Sequence, residues 1–165
     1  MYIVGVEVRT RNVLEADPAT AKIAGLWNNF FQQNLAEKIS NRKDPDSMLG
    51  VYTNYESDHT GFYTLIAGTE VKGLTAIPAG MVGIKIPAAQ YLVFPAPGKL
   101  PEAIIAAWKN IWNYFSPGAT CQRSYTTDFE LYRTNPGGET TAEFAVVEEV
   151  ALPALAARNR RLARH

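Results

Sequence analysis

The chain has 165 residues, 47% hydrophobic and 19% charged, which suffices for one domain with a substantial core and falls short of two. Lys plus Arg and Asp plus Glu balance at 16 each, so overall charge excludes itself as an attractor for nucleic acid or an anionic membrane, and the expected partner is a small molecule or a protein. Cys121 stands alone, which excludes a disulfide framework, and no apolar run reaches signal-peptide length or the ~20 residues of a membrane span, so a soluble cytoplasmic protein is expected.

The opening segment, YIVGVEVRT from Tyr2 to Thr10, alternates with β-branched residues and predicts a strand. Asp17 then offers an N-cap and Pro18 a first helical residue. Ile23, Leu26, Trp27, Phe30, Phe31 and Leu35 recur at three and four, predicting an amphipathic helix over 17–39. After a polar loop, MLGVYTNY and FYTLIAGTEV flank a loop with Gly61 and predict a hairpin. MVGIKI and QYLVF, separated by Pro87 and two alanines, predict a second, short hairpin. Pro101 introduces a second helix carrying Ile104, Ile105, Trp108, Ile111, Trp112 and Phe115, which stops at Ser116-Pro117-Gly118. DFELYR and TAEFAVVEEV make a last hairpin around the turn residues Asn135 to Gly138.

The order strand, helix, hairpin occurs twice, and the residues keep the same rhythm. Trp27 and Trp108 are 81 apart (108 − 27), Phe31 and Trp112 are 81 apart (112 − 31), and Tyr52 and Tyr132 are 80 apart (132 − 52). The expected fold class is therefore α+β: two β-α-β-β repeats, about 2–72 and 80–150, sharing a curved antiparallel sheet with two long helices and a central ligand groove. A cleft on the pseudo-twofold axis is the natural place for a ligand.

In TTDFELYRT, Thr126 to Thr134, alternation puts Asp128, Glu130 and Tyr132 on one face and Phe129 and Leu131 on the other. Phe129 and Leu131 read as the side facing the helices, which turns Glu130 toward the groove with Tyr132 and, through the repeat, Tyr52. Trp108 and Trp112 form an aromatic stripe that fills the core or edges a pocket, and Tyr91, Tyr63 and Tyr55 add aromatic supply for its walls. A carboxylate among aromatic faces suits an organic cation, each facing ring adding about 0.5–2 kcal/mol. Glu130 on an open, solvated sheet is the plainer alternative. The candidate ligand-binding residues are Glu130, Tyr132, Tyr52, Trp108, Trp112 and Tyr91. No metal or cofactor is expected, because His59 lies in a loop and His165 is terminal, with no spaced ligand cluster.

The stretches VGVEVRT, VYTNYESDHTGFYTLIAG, IPAAQYLVF, LPEAIIAAWKNIWNYF and DFELY, in this order, resemble the effector-binding domain of bacterial transcription activators, the gyrase-inhibitor-like or AraC-type effector-binding family. The match runs from about Tyr2 to Val150. The resemblance implies a duplicated β-α-β-β fold, a pocket in which the glutamate of FELY meets cationic lipophilic ligands, and a lining that includes Trp108 and Trp112. It begins at residue 2, so a stand-alone binding protein similar to integron cassette products is expected, without its own DNA-binding module. A separate regulator and a second copy of the chain are further candidate partners, and direct contact with nucleic acid or membrane is not expected. The alternatives are a gyrase-inhibitor-like hydrolase of reactive small molecules, in which Glu56 or Asp128 would join Glu130, and a protein-interaction module using the Glu143, Glu148 and Glu149 hairpin. Residues 151–165, with Arg158, Arg160, Arg161 and Arg164, form a basic tail outside the family pattern.

Overall fold

The computed structural model describes residues 1–119 and 121–149, so the basic tail lies outside the described residues. The alternating segments become β1 (Tyr2–Thr10), β2 (Ser47–Thr53), β3 (Tyr63–Val71), β4 (Val82–Lys85), β5 (Tyr91–Ala96), β6 (Gln122–Arg123), β7 (Thr127–Thr134) and β8 (Thr140–Glu149). They form one antiparallel sheet in the order β4-β1-β3-β2-β7-β8-β5, with β6 also on β8. The expected β2–β3 and β7–β8 hairpins are present. The expected β4–β5 hairpin is not: β4 pairs with β1 and β5 with β8, at opposite ends of the strand order. Pro87-Ala88-Ala89 lacks the residues a tight turn needs and serves as the crossing between the units.

That crossing fixes the curvature. Six strand spacings of ~4.8 Å would separate β4 from β5 by roughly 29 Å in a flat sheet, whereas residues 86–90 reach at most about 21 Å between their flanking strands. The sheet must therefore curl, and Ile86 is buried where it does so, against Ile3, Leu49, Val51 and Ile66.

Among the described residues four helices accompany the sheet: α1 (Asn12–Glu15), α2 (Ile23–Gln32), α3 (Leu35–Lys38) and α4 (Glu102–Tyr114). The helix expected over 17–39 is thus divided. Asp17 caps a turn, its Oδ1 accepting from the Ala19 N–H at 2.9 Å, and Asn34 breaks the helix at φ 47°. The start of α2 is set instead by Glu15, whose carboxylate accepts from the N–H groups of Lys22 and Ile23 and thereby satisfies donors that a helix terminus leaves free. Leu26 and Phe30 of α2 bury against Tyr52, Tyr63, Leu65 and Ala67; Ala103, Ala107 and Ile111 of α4 bury against Phe144 and Val146. Full burial of a side chain such as Phe30 contributes about 1.5–3 kcal/mol.

The two β-α-β-β units meet at the β2–β7 pair, whose register sets Gly50 opposite Glu130 and Tyr52 opposite Asp128. The assignment of faces differs from the sequence expectation. Phe129 and Leu131 join Ile3, Leu49, Val51 and Ile66 on the side away from the helices, and Glu130 points to the helix side. Curling gives the sheet a second apolar core on its reverse face, against which Phe129 and Leu131 are half-buried, so the apolar residues of β7 no longer mark the helix side.

Candidate functional site

Glu130 is 2% exposed. Its Oε1 accepts hydrogen bonds from the Tyr52 hydroxyl at 2.7 Å and the Trp108 Nε1–H at 2.9 Å, and its Oε2 accepts from the Tyr132 hydroxyl. All three donors are neutral. Burial raises the carboxyl above the ordinary carboxylate range, while the hydrogen bonds from Tyr132, Tyr52 and Trp108 pull it down. Burial and the adjacent carboxylate hold the phenols of Tyr52 and Tyr132 far above their usual value, so both remain donors.

The internal duplication explains why a single glutamate can sit here. Trp108 lies edge-on to Tyr52 at 5.1 Å, and Trp27 lies edge-on to Tyr132 at 5.4 Å. Trp108 stacks on Trp112 as Trp27 stacks on Phe31. These paired contacts repeat about a pseudo-twofold axis running between the facing residues Gly50 and Glu130, which are themselves 80 apart (130 − 50). Only one of two equivalent positions on the axis can hold a long side chain. A Cβ on Gly50 would lie 3.0 Å from Glu130 Oε2 and 3.1 Å from Trp27 Cζ2, so glycine clears the space that the carboxylate fills.

On the Trp108 side of the axis lies a cavity of about 380 Å³. Tyr52, Tyr55, Tyr63, Trp108 and Trp112 give it an aromatic wall, and Asn12 and Glu15 of α1 and His59 of the β2–β3 loop border it. The asymmetry comes from the connections: residues 11–22 lead from β1 to α2, whereas residues 97–101 suffice between β5 and α4. The longer connection is tied to the hairpin loop, where Asn12 Nδ2 donates to the His59 carbonyl and Tyr63 donates to Asn12 Oδ1.

Of the residues expected at the site, Tyr52, Trp108 and Trp112 line the cavity and Glu130 stands directly behind the Tyr52–Trp108 wall, while Tyr132 does not line the cavity and reaches Glu130 from the Trp27 side. Tyr91 is elsewhere. Its ring rests on Phe129 at 5.2 Å on the reverse face, because β5 carries Leu92 and Phe94, not Tyr91, toward the helix side. Sequence reasoning missed Glu15, engaged at the head of α2, and Arg123. The latter is 9% exposed, within 4.6–5.4 Å of the rings of Tyr125, Trp108 and Tyr55, and bonded through Nη2 to Asp128 at 2.6 Å. Asp128 also accepts from Tyr55 and from the Val147 N–H. Asp128 and Glu56 are therefore not partners of Glu130: the first is neutralised by Arg123, and the second accepts from the Phe62 N–H within its own loop. Among the described residues no group of His, Cys, Asp and Glu could hold a metal ion, and no helix is long and apolar enough to cross a membrane.

The model of the Cass2 family, described as integron-associated effector binding protein, matches residues 1–146. The chain belongs to the Cass2 family. Integron cassette protein VCH_CASS2, from the mobile metagenome of Vibrio cholerae, is 35% identical and superposes with a TM-score of 0.75 over 90% of each chain. YobU of Bacillus subtilis strain 168, described as a candidate transcriptional regulator, is 32% identical over 79% of this chain and 80% of its own length. The structure of SAV2435 bound to tetraphenylphosphonium shares the fold at 19% identity, with a TM-score of 0.71 over 91% of this chain and 89% of that one. The Cass2 relationship agrees with the effector-binding resemblance and with the α+β fold expected from the sequence.

Proposed function

We propose that this chain binds amphipathic organic cations in the aromatic cavity, with Glu130 as the counter-charge behind the Tyr52–Trp108 wall. The observation that carries this reading is a contrast between two buried carboxylates. Asp128 has Arg123 as a charge partner; Glu130 is met by three neutral donors and by no cation among the described residues. A buried carboxylate without a counter-charge carries a desolvation cost that an incoming cation offsets. A cation seated on the aromatic wall about 7 Å from the carboxylate gains about 2 kcal/mol at an effective dielectric constant of ~20, in addition to its contacts with the rings. Tetraphenylphosphonium on SAV2435, a protein of the same fold, supports the ligand class. Binding, and not hydrolysis, is the role we assign, because the second acid or base that positioned proton transfer requires is already engaged elsewhere.

Tetraphenylphosphonium and tetraphenylborate, nearly equal in size and opposite in charge, test the reading by thermal shift. The phosphonium should raise the melting temperature and the borate should not, since a ligand at 100 times its Kd adds about 2.7 kcal/mol. Equal shifts with both ions would show that the cavity reads shape and apolarity alone.

A further inference from the structure

We infer that Arg123 reads an anionic group on the ligand, so that the preferred ligands are zwitterionic: an aromatic cation carrying a carboxylate or a similar acceptor. The inference rests on the cation reading above and narrows its substrate class. Arg123 borders both the main cavity and a smaller hollow of about 190 Å³ lined by Ile111, Trp112, Phe115 and Tyr125 among others, and with Trp112 and His59 it is common to the two. Its guanidinium meets Asp128 side-on, Nε and Nη2 both donating to Oδ2, while Nη2 also donates to the Tyr55 hydroxyl. A planar guanidinium engaged through Nε and Nη2 leaves the two N–H groups of Nη1 on the opposite edge. Nη1 makes none of the guanidinium's hydrogen bonds to the described residues. Arg123 lines both hollows, and the rings of Tyr125, Trp108 and Tyr55 fix the orientation of the guanidinium plane.

A guanidinium held in one orientation on a cavity wall is a reader of acceptors, whereas a pocket built for cations alone gains nothing from a positive charge there. Among the described side chains, the carboxylates near it are engaged elsewhere. Asp128 already occupies the other side, and Glu15 is taken up by the head of α2. A ligand with its cationic rings on the Tyr52–Trp108 wall and its anion at the partition would meet both charges with their complements.

Rhodamine B, a zwitterion at neutral pH, and its cationic ethyl ester form a matched pair for calorimetric titration at pH 7.5. The double variant Arg123→Gln/Asp128→Asn removes both charges of the buried pair and leaves the Val147 N–H its acceptor. It should weaken the acid tenfold or more and the ester less than threefold, as expected for loss of a charge-assisted hydrogen bond. Equal weakening of the two dyes, or none of either, overturns the inference. If the double variant shows no cooperative thermal transition, Arg123→Lys decides, since it keeps the charge and loses the fork: a fall in the acid-to-ester affinity ratio supports the inference and an unchanged ratio overturns it. Glu130→Gln separates the two claims. Loss of both dyes in that variant with no discrimination by Arg123 leaves the cation reading standing and removes the zwitterion. Failure of both dyes to bind the wild type, or indifference of both to Glu130→Gln, overturns the cation reading and this inference with it.

Discussion

Gly50→Ala adds one methyl group at the point where the two units meet. The new Cβ would sit 3.0 Å from Glu130 Oε2 and 3.1 Å from Trp27 Cζ2, both closer than ordinary van der Waals contact. Neither neighbour can swing freely away: Glu130 is held by Tyr52, Trp108 and Tyr132, and Trp27 is wedged between Phe31 and Tyr132. Overpacking of this kind costs about 1–3 kcal/mol, which for a domain of this size lowers the melting temperature by roughly 2–12 °C. Scanning calorimetry of wild type, Gly50→Ala, Glu130→Ala and the double variant gives a double-mutant cycle. In the Glu130→Ala background the methyl group enters space the carboxylate has left, so its cost should fall by about 1 kcal/mol or more. A Gly50→Ala protein that melts with the wild type, or a cost unchanged by Glu130→Ala, would refute the placement of the glutamate on the axis against this glycine.

Two further outcomes follow from the charges. The raised Glu130 carboxyl sets a direction: its contribution to the stability of the empty protein is fully present below the usual carboxylate pKa and is lost as pH rises through the higher folded value. Urea unfolding of wild type and Glu130→Gln between pH 5 and 8 should therefore show the variant gaining stability relative to wild type as pH rises; a variant that stays level or loses ground would mean that the carboxyl is not raised. Asp128→Asn leaves the buried Arg123 guanidinium without its charge partner and should cost about 3–5 kcal/mol, lowering the melting temperature by roughly 6–20 °C. A change within 2 °C would show that the pair is solvated in solution.

Much of this site was legible in the sequence because it was written twice. The spacings of 81 and 80 between Trp27 and Trp108, and between Tyr52 and Tyr132, became ring contacts repeated about an axis, and the carboxylate singled out in TTDFELYRT lies on that axis. Alternation along β7 correctly separated Glu130 from Phe129, but it could not say which face met the helices. The curled sheet buries apolar residues on both sides, and curling depends on where β4 and β5 pair, a long-range choice invisible within six residues. The same blindness set Tyr91 among the site residues. Arg123 was illegible for another reason: its role comes from Asp128, Tyr55 and Trp108, which are separated in sequence and meet only in the fold. Glu15 lay before the turn of Asp17 and Pro18, whose helix-start signal drew attention away from the residue that caps α2.

The central claim is that Glu130 supplies the counter-charge for a cation. Calorimetric titration of tetraphenylphosphonium into wild type and Glu130→Gln at pH 7.5 tests it most directly, because the substitution preserves the shape of the side chain and removes its charge, with the amide oxygen accepting from Tyr52 and Trp108 and the amide NH2 donating to the Tyr132 hydroxyl. The variant should bind about 30-fold more weakly, corresponding to the ~2 kcal/mol expected at about 7 Å, with no comparable loss of thermal stability. Wild-type affinity in a folded Glu130→Gln protein would contradict the claim and leave the carboxylate as a structural acceptor for Tyr52, Trp108 and Tyr132.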